Sequence, residues 1–296
     1  MKPNKILVHI GSIAFIGIIL FLLFIVFNFV GNAFYNESLD QNWLSQFDKD
    51  EIPTPLPTPT PNPVPPPTPT VDKETITWSW TDFNKNSRTI SCTVPKDYFG
   101  KCKKNRESGP GNTGIYQYMY NHDVAYLEQF ILKFKEMMNS SKMNYYECIE
   151  LVCSAIQFYP YTLVLDSSED CPCNTPFGNF TANCKVQSDG RGCCDEIDPF
   201  GIYSPYEFFY KKTGDCDTRS VLAYTVLKKL GFDVAVMVSR EESHSVLGVY
   251  LPNSMSSGYS YGIDESSGKK YLLWELTSPN WRLGRRVNGN DWIVAN

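Results

Sequence analysis

Histidine is scarce in this sequence, which has three among 296 residues. His9 lies in an apolar run and His122 precedes a helical pattern without any motif around it, so His244 is the only good candidate for a general base. An excess of positive charge is also absent. With a net charge of -5 the sequence has no basic stripe for DNA or RNA, and we predict no nucleic-acid partner and no cofactor.

Asp, Glu, Lys and Arg are absent from residues 6–30, an apolar run long enough to cross a bilayer as one helix. Lys2 and Lys5 precede this run and acidic residues dominate the stretch behind it. The positive-inside rule therefore places residues 1–5 in the cytoplasm and everything after the helix outside. We predict a single-pass protein of the cell membrane. The alternative is a cleaved signal peptide, because residues 31–33 resemble a small-residue cleavage site.

A polar juxtamembrane segment, residues 31–52, leads into residues 53–70, which alternate proline with threonine and hold little else. Such a sequence cannot form a core and favours polyproline II at about 3.1 Å per residue, which predicts a stalk on the order of 50 Å. A ligand for a proline-binding domain is the alternative. Residues 71–296 then form one extracytoplasmic domain.

All ten cysteines lie in that domain, as expected where an oxidising compartment allows structural disulfides. Cys92 and Cys102 flank a predicted strand end and turn, and they form one candidate pair. The polar stretch 166–198 looks like a disulfide-stapled loop insertion, because it holds five more cysteines: Cys171, Cys173, Cys184, Cys193 and Cys194. A zinc site there is the alternative, but the spacing of the paired cysteines is too short for the common zinc folds.

Three segments repeat apolar side chains at helical spacing, between residues 123 and 139, between 145 and 156, and from Cys216 to a stop at Gly231. We expect all three helices to pack on the core. Cys216 begins the third helix, where unpaired N–H groups and the helix dipole favour a thiolate over a thiol. The alternative is that Cys216 forms one more disulfide.

The number of cysteines also predicts a free thiol besides Cys216. With Cys216 set aside nine cysteines remain, and an odd number leaves at least one unpaired. We expect this to be Cys148 or Cys153, because a cysteine buried in an amphipathic helix behaves as a small apolar residue.

A strand at residues 232–239, a polar turn and a second strand that begins at His244 follow the third helix. A further predicted strand, residues 271–277, has Glu275 as its only charged side chain. Burying a carboxylate is costly without a partner, and an imidazole Nδ1–H on the neighbouring strand is a suitable one. The sequence therefore predicts a triad of Cys216, His244 and Glu275. The alternatives are a structural histidine and an outward-facing glutamate.

The motif Gly214-Asp215-Cys216-Asp217, together with the order of the segments around it, resembles the transglutaminase-like superfamily and its papain-like order of cysteine, histidine and acidic residue. The sequence is most similar to the uncharacterised transglutaminase-like domains of archaeal and bacterial membrane proteins. The segments that carry the resemblance are 155–161, 204–207, 214–217, 229–235, His244, 248–249 and 274–277.

By this resemblance Cys216 is the nucleophile, His244 is the base and later the acid, and Glu275 orients the imidazole and stabilises its cation. Gln157 takes the place of the papain-like oxyanion-hole glutamine, acting with the Cys216 backbone N–H. Its alternative role is to cap backbone groups at a helix end. The sequence departs from the family at Thr218, where an acidic residue is frequent, and at Glu275, where aspartate is common. Neither departure removes a required chemical group.

The predicted fold is α+β, a papain-like or transglutaminase-like core with helices on one side and an antiparallel sheet on the other. The predicted function is a membrane-anchored thiol enzyme that acts on amide bonds of a protein or peptide at the cell surface. Hydrolysis of its thioester is slightly favoured over cross-linking, because water needs no second binding site. Two alternatives stay open: a non-catalytic binding module on the same fold, and a metal-binding surface domain built on residues 166–198.

Overall fold

The computed structural model describes residues 71–111, 114–166, 194–197, 199–251, 259–283 and 285–295. Among these residues no helix is long and apolar enough to cross a bilayer. The predicted cytoplasmic tail, membrane helix, juxtamembrane segment and proline-rich linker, residues 1–70, lie outside the described part of the chain. Most of the predicted insertion 166–198 also lies outside it.

A β-hairpin comes first. β1 (Lys73–Thr81) and β2 (Ser87–Pro95) pair antiparallel, and side chains along both strands alternate between a buried and an exposed face. Trp78 lies on the buried face, where its Nε1–H donates to the Phe209 carbonyl at 2.8 Å. This bond anchors the hairpin to a helix that comes much later in the chain.

Six helices are described: α1 (Tyr98–Glu107), α2 (Ile115–Asp123), α3 (Glu128–Ser140), α4 (Tyr145–Phe158), α5 (Pro205–Lys211) and α6 (Cys216–Lys229). The three helices expected from apolar spacing are confirmed as α3, α4 and α6. α4 and α5 each begin with a capping box, Asn144 with Glu147 and Ser204 with Glu207, which satisfies N–H groups that a helix start leaves unpaired.

The later strands form a closed barrel. β3 (Leu163–Leu165) and β4 (Cys194–Glu196) make a separate parallel pair, and the barrel follows in the order β5-β6-β8-β7-β9. Its strands are β5 (Val234–Ser239), β6 (His244–Val249), β7 (Tyr261–Ile263), β8 (Lys270–Trp274) and β9 (Ile293–Val294). Neighbours in the barrel are antiparallel except β7 and β9. The sheet therefore differs from the expected one in its closure and in this parallel pair.

Met237 fills the middle of the barrel, where it packs with Val246, Leu273 and Trp292. Gly248 on β6 makes room for it, because a Cβ at that position would lie 2.6 Å from Met237 Cγ. The barrel core thus depends on close packing between one flexible side chain and a residue without a side chain.

Five described cysteines are free thiols: Cys92, Cys102, Cys148, Cys153 and Cys216. The predicted Cys92–Cys102 pair is therefore wrong. Cys92 faces the buried side of β2, whereas the Cys102 thiol lies in α1 against the Asp123 carboxylate. The prediction that Cys148 or Cys153 stays free is confirmed, since both are free and buried. Burial raises the pKa of Cys92 to about 11 and that of Cys148 to about 12.

Candidate active site

Cys216 is the first residue of α6, and its thiol is free and half-buried. Asp215 caps the helix: its Oδ1 accepts from the Thr218 N–H at 3.2 Å and its Oδ2 accepts from the Val164 N–H at 3.3 Å. Burial and the neighbouring charge of Asp217 raise the pKa of Asp215. The helix start is therefore fixed to β3, and the alternative of a disulfide at Cys216 is excluded.

Ser245, the second residue of β6, joins this helix start to the strand that carries His244. Its hydroxyl donates to Asp217 Oδ1, on the residue that follows Cys216. The same Oδ1 accepts from the Tyr116 hydroxyl at 2.9 Å. Ser245, Asp217 and Tyr116 are polar side chains of the site that were not predicted from the sequence. Asp217 and Ser245 adjoin Cys216 and His244 in the sequence, which was a signal for them, whereas no sequence pattern pointed to Tyr116.

His244 and Glu275 form a close pair, with 2.6 Å between Nε2 and Oε2. We expected Glu275 to bind Nδ1, and this expectation was wrong about the nitrogen. β8 ends at Trp274, so Glu275 lies just beyond the strand that was predicted to contain it. Its second oxygen accepts from the Thr277 N–H at 2.7 Å and from the Thr277 hydroxyl at 2.6 Å. The carboxylate thus holds the imidazole from one side and is itself held from the other.

The pKa values of this pair move apart. Burial lowers the pKa of His244, but the hydrogen bond and charge of Glu275 raise it by more, so it lies above its ordinary value of 6.5. Burial raises the pKa of Glu275, but His244 and Thr277 lower it by more, so it lies below 4.5. Near neutral pH the carboxylate is ionised, and the imidazole holds a proton more firmly than an exposed histidine does.

The Cys216 thiol differs from the expectation that the helix start makes it a thiolate. Burial raises its pKa well above the ordinary 9.0, the charges of Asp217 and Asp215 raise it further, and the Ser245 N–H lowers it only in part. Desolvation and two adjacent carboxylates therefore favour the neutral thiol of Cys216 over its thiolate.

Gln157 is buried at the end of α4, and its side chain binds backbone groups. Its Nε2 donates to the carbonyls of Glu275 and Trp281, both at 2.8 Å, and its Oε1 accepts from the Trp281 N–H at 3.1 Å. Both amide hydrogens are used, so Gln157 has no N–H left for an oxyanion in this structure. These bonds match its alternative role as a capping residue.

Arg219 is the main side chain near the site that the sequence analysis missed. It lies three residues after Cys216, is fully buried, and donates to backbone carbonyls on both sides of the candidate triad. A signal was available, because Arg219 shares the apolar face of α6 with Leu222 and Val226 at helical spacing. An arginine on such a face needs buried acceptors.

Within the described residues no group of three or more His, Cys, Asp or Glu side chains could hold a metal ion. Four of the five insertion cysteines, on which the metal-binding alternative depends, lie outside those residues.

Comparison with family models, with curated proteins and with solved structures finds no match to this chain. A functional interpretation therefore rests on the motif order and on the geometry of the site.

Proposed function

We propose that this protein is a thiol enzyme that acts on amide bonds through Cys216, His244 and Glu275 and forms a thioester with its substrate. The substrate class is a protein or peptide at the cell surface, and the domain is anchored by the apolar N-terminal segment. The observation that carries the proposal is the 2.6 Å pair between His244 Nε2 and Glu275 Oε2, because the neighbour of His244, Ser245, also binds Asp217 beside Cys216.

The pairing of Nε2 with Glu275 means that Nδ1 of His244 exchanges the proton with Cys216. The sulfur attacks the substrate carbonyl carbon while its proton passes to His244, and that proton then goes to the leaving nitrogen as the C–N bond breaks. Water next attacks the thioester carbon and gives a proton to His244, and the C–S bond breaks as the sulfur takes this proton back. Glu275 stays ionised and stabilises the imidazolium.

Hydrolysis is favoured slightly over transfer to an amine, because water needs no second binding site. The raised pKa values of Cys216 and His244 predict that the reaction accelerates as pH rises above neutrality. At a pH below its raised pKa His244 is protonated and cannot accept a proton from the thiol.

The test is the reaction of the full-length protein, purified in detergent, with 4-nitrophenyl acetate, whose released nitrophenolate reports acylation. Mass spectrometry locates the acetyl group. We expect Cys216 to be acetylated, and we expect His244→Ala to slow this step by roughly 10²- to 10⁴-fold. His122→Ala, which alters an exposed histidine of α2, is the matched control and leaves the rate unchanged. Acetylation of Cys216 that does not depend on His244 would refute the proposal.

Two observations favour a second candidate, a non-catalytic binding module on the same fold. The pKa of Cys216 is raised, and the amide donors of Gln157 are already used. A binding module needs neither an activated thiol nor an oxyanion donor. In the same experiment this candidate predicts a folded protein whose Cys216 is no more reactive than the buried Cys148.

A further inference from the structure

Arg219 is completely buried, and each of its five N–H groups has its own acceptor. The distances from nitrogen to oxygen lie between 2.6 and 3.2 Å. All five acceptors are backbone carbonyls: Gly214, Ile156, Leu276, Tyr159 and Pro160. The hydrogen bonds of Arg219 therefore all hold the backbone, while the rings of Tyr161 and Phe208 lie beside its guanidinium, each with its centroid 5.7 Å from Cζ.

The carbonyls belong to the three segments that surround the candidate triad. Gly214 precedes Cys216 by two residues, and Leu276 directly follows Glu275. The other three lie at or just beyond the end of α4, whose last carbonyls lack partners within the helix. β8 ends before Glu275, so its pairing with β6 does not reach Leu276. The Arg219 side chain binds the Leu276 carbonyl instead.

We propose that Arg219 is the positioning residue of the site. Its guanidinium sets the start of α6, which carries Cys216, against the chain just beyond β8, which carries Glu275 and through it orients His244. This inference rests on the proposed function. Burial lowers the pKa of Arg219 to about 10, so the group remains charged at neutral pH.

The geometry demands arginine and not merely a positive charge. A lysine ammonium has three N–H groups and no planar fork, so at least two of the five carbonyls would lose their partner in Arg219→Lys. The segments on either side of the triad would then be free to move apart by fractions of an ångström, which is enough to slow a reaction between positioned groups.

Arg106 provides a matched control. It is as deeply buried as Arg219, but it lies in α1 and pairs with the Glu207 carboxylate, with 2.8 Å between Nε and Oε2. Arg106→Lys therefore disturbs a buried guanidinium without touching the backbone around Cys216 or Glu275.

The experiment compares Arg219→Lys, Arg219→Gln and Arg106→Lys in the full-length protein. One measurement is the rate of Cys216 acetylation by 4-nitrophenyl acetate against pH. The other is the pKa of His244, followed by NMR of its imidazole protons, which is practical because the chain has three histidines. Sucrose is added to every sample to keep weakened variants folded, and circular dichroism checks that they are.

We expect both Arg219 variants to slow acetylation by at least about tenfold and to lower the pKa of His244, because Glu275 no longer lies in place. Arg106→Lys should lower the unfolding midpoint to a similar extent and leave both measurements unchanged. Equal rates and an equal His244 titration in the Arg219 variants would overturn the inference. The titration needs no reaction at Cys216, so it still decides the role of Arg219 if the unaltered protein is not acetylated and the proposed function fails.

Discussion

Asp123 and Glu275 are two buried carboxylates in different parts of the molecule, and their pKa values shift in opposite directions. Asp123 lies at the end of α2, and burial raises its pKa to about 6 although Ser204, Tyr206 and Cys102 donate hydrogen bonds to it. Its Oδ1 has no hydrogen-bond partner in the part of the chain that the structure describes.

Glu275 is buried almost as deeply, yet its pKa is lowered. Both of its oxygens accept hydrogen bonds, one from His244 and the other from Thr277. A group that can become a cation faces Glu275, whereas the donors to Asp123 are neutral. Burial is therefore common to both sites, and the partner decides which form of the carboxylate is stable.

Glu275→Gln should give the largest effect, because it removes the charge that distinguishes the two sites. We expect acetylation of Cys216 to slow by roughly 10²- to 10⁴-fold, since the imidazole loses the group that orients it and stabilises its cation. The pKa of His244 should fall, which NMR titration measures. Asp123→Asn is the control and should change neither quantity. A rate in Glu275→Gln equal to that of the unaltered protein would show that Glu275 is only structural.

The sequence predicted the elements that carry the candidate site and the pairing of His244 with Glu275, but not the other bonds that join these elements. Helical spacing located the start of α6 at Cys216, and alternation with a turn located the start of β6 at His244. The guanidinium of Arg219 meets the Leu276 carbonyl across 57 residues, and the Gln157 amide meets the Trp281 carbonyl across 124. Periodicity reports which face of an element is apolar and says nothing about such distant partners.

Barrel closure was unpredictable for a related reason. β7 and β9 have three and two residues, too few for an alternating pattern, and their parallel pairing at Ile263 and Ile293 depends on how the barrel closes. The Cys92–Cys102 prediction used nearness in sequence, which does not specify that one thiol lies under the hairpin and the other against Asp123.

Asp123→Asn should produce an intermediate effect, on stability. The folded-state pKa of Asp123 lies above its ordinary 3.8. The stability that this carboxyl contributes is therefore fully present below pH 3.8 and is lost as pH rises through about 6. A shift of this size corresponds to a loss on the order of 3 kcal/mol at most. Asp123→Asn should remove that loss, so the variant becomes more stable than the unaltered protein at neutral pH.

Urea unfolding from about pH 4.5 to 8 measures this effect. The pKa of His244 is also raised, so His244 too makes the protein less stable as pH rises. Asp123→Asn keeps this effect, and the difference in the free energy of unfolding between the two proteins therefore reports Asp123 alone. Glu275 has the opposite sign, because stability from a lowered pKa is lost only as pH falls below its ordinary 4.5. A constant difference across this range would mean that Asp123 does not titrate there.

Thr277→Val should have the smallest effect and shows how much of the lowered pKa of Glu275 comes from hydrogen bonds. It removes the hydroxyl that donates to Oε1 at 2.6 Å and keeps the backbone N–H that donates to the same oxygen at 2.7 Å. A hydrogen bond to a charged group contributes roughly 1.5 to 3 kcal/mol, and the remaining donor compensates in part, so we expect a loss of about 1 kcal/mol in urea unfolding at pH 7. Thr277→Ser keeps the hydroxyl and is the control. If Thr277→Val lowered stability as much at a pH low enough to protonate Glu275, the hydroxyl would be supporting packing and not the charge.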